Sequence, residues 1–120
     1  MQMPKPTDED KARFRALVPD DPRVEITPMF GQLAAFVNAN MFMGLFGADI
    51  GLRLPDDQRE RLMLEDGAGP FGPAERPMSG YVTLPAKWLD KPNLADPWIG
   101  RAFDHTAAMP PKKPKVKKKG

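Results

Sequence analysis

The feature that most constrains the fold is the apolar stretch from Met29 to Leu54, MFGQLAAFVNANMFMGLFGADIGLRL. Short apolar runs alternate there with clusters of Gly, Asn and Asp, which is typical of strands joined by tight turns. Asn tolerates the left-handed backbone region, so residues 38–40 (Asn-Ala-Asn) are predicted to reverse the chain. The stretch therefore predicts an antiparallel meander that pairs residues 33–38 with 41–46 and continues into a third strand at 50–54.

Helices and further strands are predicted on both sides of this meander. Thr7 or Asp8 is the expected N-cap of a first helix, and Pro55 opens a second helix that buries Leu62 and Met63. The other predicted elements are a strand at 23–27, a loop at 67–78 anchored by Phe71, a strand at 80–84, a helical turn at 86–90, and a final helix from Leu94 that buries Trp98. This order predicts an α+β fold of two layers, with an antiparallel sheet of about five strands flanked by helices.

Length and charge indicate one domain followed by a basic segment. A chain of 120 residues has room for a single domain, which we place at residues 1–109. Residues 110–120, here called the lysine-rich tail, are predicted to be disordered because Lys and Pro cannot build a core. The tail holds six of the 18 basic residues, and without them 12 basic residues stand against 16 acidic ones. The body is therefore acidic, and its overall charge does not favour nucleic acid.

Composition also excludes several classes of protein. The sequence has no cysteine, which excludes a disulfide scaffold, a thiolate metal site and thiol catalysis. No segment approaches the roughly 18 apolar residues of a membrane span, and the first ten residues lack the apolar run of a signal peptide. We therefore expect a soluble, cytoplasmic protein that does not bind membranes.

Several short pieces of sequence carry a resemblance to a known family. They are Met29-Phe30-Gly31, residues 36–42 (FVNANMF), Leu52-Arg53-Leu54, Pro70-Phe71, Arg76-Pro77-Met78 and Tyr81. In this order they resemble the amino-terminal domain of the TfoX/Sxy competence-regulator family, and the similarity spans Val24 to Ala108. The resemblance implies a compact, bacterial α+β domain of the secretion-chaperone-like kind. The longer competence regulators carry a second, helical domain at the position where this chain has the lysine-rich tail.

The sequence contains no recognisable catalytic or metal-binding motif. His105 could act as a general base beside Asp104, but a solvent-facing helical histidine is favoured, because no nucleophile with an orienting partner accompanies it. Ser79 lies outside any nucleophile-elbow pattern. The acidic residues at 56–60 suit the first turn of a helix better than a cation site. We therefore predict no enzymatic activity, no metal and no cofactor.

Two groups of residues are open to a structural or a functional interpretation. One group comprises Met29, Met41, Met43, Met63 and Met78. Core filling is the favoured interpretation of these methionines, and an adaptable binding surface is the alternative. The other group comprises Arg53 and Arg76, within the family-like pieces. A structural bridge to a carboxylate or to carbonyl oxygens is the first choice for these arginines, and contact with a partner or an anion is the second.

The tail supplies the alternative to the leading functional hypothesis. Its lysines, the predicted nucleic-acid contacts, are Lys112, Lys113, Lys115, Lys117, Lys118 and Lys119. The leading hypothesis is a non-enzymatic regulatory or protein-interaction domain with a protein partner. The alternative is a nucleic-acid-associated accessory protein whose tail binds weakly and without sequence preference. An enzyme or a small-molecule-binding domain ranks third.

The alternative can be tested through the salt dependence of DNA binding. If six lysines act as point charges, the logarithm of the binding constant should fall against the logarithm of salt concentration with a slope no steeper than about −5. Replacing all six by Gln should abolish binding to duplex DNA and leave the melting temperature unchanged. Binding that survives this replacement and discriminates between base sequences would locate the site in the body instead.

Overall fold

The computed structural model of the chain describes residues 4–29, 31–73 and 75–110. The elements, in chain order, are α1 (Asp8–Leu17), β1 (Glu25–Met29), β2 (Gln32–Val37), β3 (Asn40–Phe46), β4 (Asp49–Arg53), α2 (Asp56–Met63), β5 (Gly69–Pro70), β6 (Tyr81–Thr83), a 3₁₀ helix (Ala86–Asp90) and α3 (Pro92–Ala107). The predicted disorder of the lysine-rich tail falls almost entirely on residues 111–120, outside the described residues, and stays a prediction.

The strands form one antiparallel sheet in the order β1-β2-β3-β4-β6-β5. This confirms the α+β fold and the predicted meander. The described residues contribute six strands to the sheet where about five were predicted, because the segment predicted as a loop contains the short strand β5. The Thr83 hydroxyl donates to the Pro70 carbonyl at 2.8 Å and holds β5 against β6. One face of the sheet, the inner face, packs against α3, which also contacts α1.

Helix α1 begins as the sequence predicts. The Thr7 side chain accepts a hydrogen bond from the Asp10 backbone N–H at 3.0 Å, and the Asp10 carboxylate accepts from the Thr7 backbone N–H at 2.9 Å. This reciprocal arrangement is a capping box, which satisfies two amide groups that the helix leaves without partners. The hydrogen bond from the Thr7 backbone also lowers the pKa of Asp10.

The turn between β2 and β3 reverses the chain and also holds the end of α3. Asn38 and Ala39 have positive φ angles of 55° and 62°, as a two-residue type I′ hairpin turn requires. The Asn38 side-chain amide donates to the Ala107 carbonyl at 2.9 Å, and the Asn40 amide donates to the Pro110 carbonyl at 3.2 Å. The asparagines therefore satisfy carbonyl groups at and beyond the carboxyl end of α3, in addition to forming the turn.

A β-bulge in β3 changes which side chains face the helices. The pairing of β2 with β3 shifts between Ala35 and Phe36, which leaves Phe42 as an extra residue. Phe42 and Met43 are therefore both fully buried in the core, although strict alternation would place them on opposite faces. Phe42 packs edge to face against Phe103 of α3, with ring centroids 5.4 Å apart.

Two predictions of burial on helices are wrong. Trp98 is half-buried, and the Arg101 guanidinium lies 4.5 Å from the centroid of its ring. The buried stripe of α3 is instead formed by Ala95, Ile99, Ala102, Phe103 and Thr106. Met63 on α2 is 44% exposed, whereas Leu62 is buried. The cause is the same in both cases, because neighbouring residues of a helix point in directions about 100° apart and a narrow contact buries only one of them.

A search of the described residues for membrane spans finds no helix with the length and apolar character needed to cross a bilayer.

The strain at Ala39 gives a test of the hairpin. A non-glycine residue in the left-handed region costs about 1–2 kcal/mol, and the greater unfolded-state freedom of Gly offsets about 0.4–1 kcal/mol of that. Ala39→Gly should therefore raise the free energy of unfolding by about 0.5–1 kcal/mol in urea titration.

Ala48 supplies the matched control for this substitution. It lies in the two-residue turn between β3 and β4 without a positive φ angle. Ala48→Gly should destabilise the protein by about 0.4–1 kcal/mol, since it only adds freedom to the unfolded chain. Equal effects of the two substitutions would contradict the strained turn.

Candidate functional site

The candidate site lies on the outer face of the sheet, which is opposite to the helices α1 and α3. Alternation along the strands gives this face the small residues Ala34, Gly44 and Gly51, one on each of three neighbouring strands. Because these residues project little or no side chain, the backbone of the sheet is accessible to another group at this point. The segment that links β5 to β6 supplies that group.

Phe71 covers the middle of the outer face and is 2% exposed. A Cβ atom added at Gly51 would overlap its ring, so the ring lies directly on the strand backbone. The ring also contacts Phe46 and Tyr81, with centroids 6.3 and 6.2 Å away. The Met78 backbone N–H donates to the Phe71 carbonyl at 2.8 Å and closes the loop. The prediction that Phe71 anchors this segment is confirmed.

Tyr81 fixes the other side of the Phe71 ring. Its hydroxyl donates to the Met41 carbonyl at 2.8 Å and so links β6 to β3 across the outer face. Burial raises the pKa of the Tyr81 phenol, and the nearby positive charge of Arg53 opposes this rise. The Arg53 guanidinium lies 5.9 Å from the centroid of the Tyr81 ring.

An open apolar groove of about 190 Å³ lies beside Phe71. We call it the methionine groove. It is lined by Met29, Gln32, Leu33, Ala34, Met41, Gly44, Leu45, Phe46, Phe71, Pro73 and Met78. Met29 and Met78 are each 38% exposed, and Met41 is half-buried. The groove therefore presents flexible thioether side chains to solvent, and Gln32 is the one polar residue among the described residues that line it.

Gln32 closes one end of the groove through two hydrogen bonds. Its side-chain oxygen accepts from the Gly47 backbone N–H at 2.8 Å, and its side-chain nitrogen donates to the Pro4 carbonyl at 2.7 Å. Pro4 also packs against Gly47, since a Cβ added there would lie 2.8 Å from the Pro4 Cβ. The segment before α1 is thus attached at the end of the groove.

The favoured interpretation of the methionines is wrong for most of them. Only Met43, among the five, belongs to the core. Met63 is exposed on α2, and the other three line the groove. The bulge in β3 explains why Met41 lies outside the core. It places Met41 on the outer face of the sheet and Met43 on the inner face. In the sequence, Gly44 and Gly51 could have indicated this surface, since glycine inside a strand marks a close approach of another group.

The two arginines lie near the groove, and in the described part of the chain they do not form the bridge that was their first interpretation. Among residues 4–29, 31–73 and 75–110, neither side chain forms an ion pair or donates a hydrogen bond to a carboxylate or carbonyl oxygen. Arg53 packs over Tyr81, and Arg76 is exposed in the segment between Pro73 and Met78. Contact of these arginines with a partner or an anion stays a prediction. The six predicted nucleic-acid contacts, at positions 112, 113, 115 and 117–119, lie outside the described residues.

The groove carries no recognisable catalytic chemistry in the described part of the chain. His105 lies half-buried on α3, and neither His105 nor Ser79 has a side-chain hydrogen bond there. A search of the same residues finds no group of three or more His, Cys, Asp and Glu side chains that could hold a metal ion. The groove can therefore bind apolar groups, and its lining offers no acid, base or nucleophile.

A family model identifies the domain that presents this groove. The model described as the TfoX N-terminal domain matches residues 14–106 of the 120-residue chain. The chain belongs to the TfoX N-terminal domain family. Membership supports a regulatory-type domain in a non-catalytic family. The match begins inside α1 and ends one residue before the end of α3, so the groove lies wholly within the TfoX N-terminal domain. A search of the curated proteins finds no match.

The contact between Phe71 and Gly51 gives a test of the site. Gly51→Ala should displace the Phe71 ring and lower the free energy of unfolding by about 1–3 kcal/mol, because the strand backbone cannot move away from it. Gly69→Ala is the matched control, since a Cβ there meets no atom within 4 Å. The free energies of unfolding of both variants would be measured by urea titration. Equal values would contradict the packing of Phe71 on Gly51.

Proposed function

We propose that this chain is a non-enzymatic regulatory domain that acts by binding a protein partner in the methionine groove. The observation that carries the proposal is the groove itself, an open apolar concavity rimmed by Met29 and Met78. Methionine side chains adapt to irregular apolar shapes, and they are common on surfaces that bind peptides. The exposed, unbranched side chains at the rim fit this mode of binding.

The size of the groove favours a protein partner over a small-molecule ligand or cofactor. Pockets for such ligands commonly enclose about 300–1,000 Å³ and contain a few converging polar groups. The methionine groove has a volume of about 190 Å³, and the one polar residue in the described part of its lining is Gln32, whose amide is already hydrogen-bonded. That volume suits one or two apolar side chains of a partner. Their backbone would lie along the outer face of the sheet.

The predicted arginine contacts supply charge at the margin of this surface. Arg76 lies between Pro73 and Met78, both of which line the groove, and Arg53 lies on the outer face beside Tyr81. A partner that places a carboxylate next to its apolar side chain would complement them. In this proposal the groove supplies the affinity, and the arginines orient the partner.

The proposal is tested by charge substitutions at two methionines of similar exposure. Met78→Glu places a carboxylate in the groove, and Met63→Glu places one on α2, outside the groove. The partner would be captured from the native cell with the wild-type chain, and its affinity for each purified variant would then be measured by calorimetry. We expect Met78→Glu to weaken binding about tenfold or more, because burying an unpaired carboxylate is costly. We expect Met63→Glu to bind like the wild type.

Melting temperatures of both variants serve as the control for folding. A partner that binds Met78→Glu as tightly as the wild type would contradict the proposal. If such a partner no longer binds when the six tail lysines are replaced by Gln, the tail is the binding element. The nucleic-acid alternative is then favoured.

A further inference from the structure

The rim of the methionine groove combines an apolar lining with accessible thioethers. Met29 and Met78 are each 38% exposed, whereas Met43 is fully buried on the inner face of the sheet. The sequence has no cysteine, so thioethers are the only sulfur groups of this chain. Because oxidation of methionine follows exposure, an oxidant in solution reaches the rim of the groove before it reaches the core.

Met41, the third groove methionine, is less accessible than the two at the rim. A Cβ atom added at Gly44 would lie 3.2 Å from the Met41 Cε and 3.4 Å from the nearest atoms of the Phe71 ring. The methyl group and the ring therefore both lie over Gly44, at the covered end of the groove. Met41 is half-buried there, so its oxidation should be slower than that of Met29 and Met78.

We propose that Met29 and Met78 are sites of reversible oxidation to methionine sulfoxide by a hydroperoxide such as hydrogen peroxide, and that this oxidation removes the affinity of the groove for apolar groups. The thioether sulfur donates an electron pair to one peroxide oxygen, an S–O bond forms and the O–O bond breaks. The departing hydroxide takes the proton of the transferred oxygen and leaves as water. Sulfur is oxidised and the peroxide is reduced, with no further reactant.

The lining of the groove explains why a sulfoxide would weaken binding. Gln32 is the one polar residue among the described residues that line the groove, and its amide is already hydrogen-bonded to Gly47 and Pro4. A sulfoxide oxygen covered by an apolar group would lose its hydrogen bonds to water without gaining a partner from this amide. The consequence for regulation rests on the proposed function: oxidation would release the protein partner, and reduction would restore its binding.

The first experiment follows each methionine of the full chain by NMR. Protein labelled at the methionine ε-methyl carbon, with resonances assigned by single Met→Leu substitutions, would be treated with hydrogen peroxide. We expect Met29 and Met78 to be converted at least about tenfold faster than Met43, with Met41 between them. Met63, which is 44% exposed on α2, provides the rate for an exposed thioether outside the groove. Methionine sulfoxide reductases for both sulfoxide epimers should restore the original resonances.

The second experiment uses the fluorescent apolar dye 1-anilinonaphthalene-8-sulfonate as the probe of the groove. The peroxide dose would be one that leaves Met41 and Met43 unconverted, and each variant would be compared with its own reduced form. Oxidation should lower dye fluorescence severalfold in the wild type and in Met63→Leu, which removes an exposed thioether outside the groove. It should have no effect in the double variant Met29→Leu/Met78→Leu, which lacks the rim thioethers.

Three results would overturn the inference. Rim methionines that oxidise no faster than Met43 would contradict the assignment of the sites. Dye fluorescence that is unchanged by oxidation, or that falls equally in the double variant, would contradict the effect on the groove. A melting temperature that falls with oxidation at this dose would show that the fold is lost instead.

The protein partner takes part in neither experiment, so the oxidation and the proposed function fail separately. If both experiments give the expected results and the partner binds the reduced and the oxidised chain equally well, the groove is not its binding site. The proposed function is then contradicted, while the oxidation of the rim and its effect on the groove remain.

Discussion

The packing of Phe71 on the backbone of Gly51 is the contact on which the outer face of this domain depends. The sheet buries its inner face under α1 and α3, and the outer face would otherwise present aromatic and methionine side chains to water without cover. One ring from an irregular segment covers the centre of that face because glycine leaves the strand accessible. The cover is incomplete, and the uncovered remainder is the methionine groove.

Hydrogen bonds from asparagine and glutamine side chains attach both ends of the described chain to this sheet. Gln32 holds Pro4 beside the turn between β3 and β4, and the two asparagines of the β2–β3 turn hold the chain after α3. Each amide joins backbone groups that are distant in sequence, so the sheet positions the segments that lead to residues 1–3 and 111–120.

The groove and the side chains around it are consistent with the proposed recognition of a partner. The described residues of its lining include no titratable group. The nearby Tyr81 phenol donates to the Met41 carbonyl and has a raised pKa because it is buried. Arg53 and Arg76 provide charge beside the groove without an ion pair in the described residues. Family membership supports a regulatory-type domain, and the small apolar concavity with its adaptable methionines is the basis of the proposed contact with another polypeptide.

Sequence alone determined the meander, the start of α1 at Thr7 or Asp8, the reversal at Asn38 and the anchoring role of Phe71. Each of these depends on residues close together in the chain, whose turn chemistry and periodicity are visible locally. Only the tertiary structure decided which methionines reach solvent and which side of α3 is buried. Methionine is as suitable for a core as for a rim, and the bulge at Phe42 reverses the alternation on which a local prediction relies. The groove depends on strands and a loop that meet only after folding, so no local pattern could reveal it.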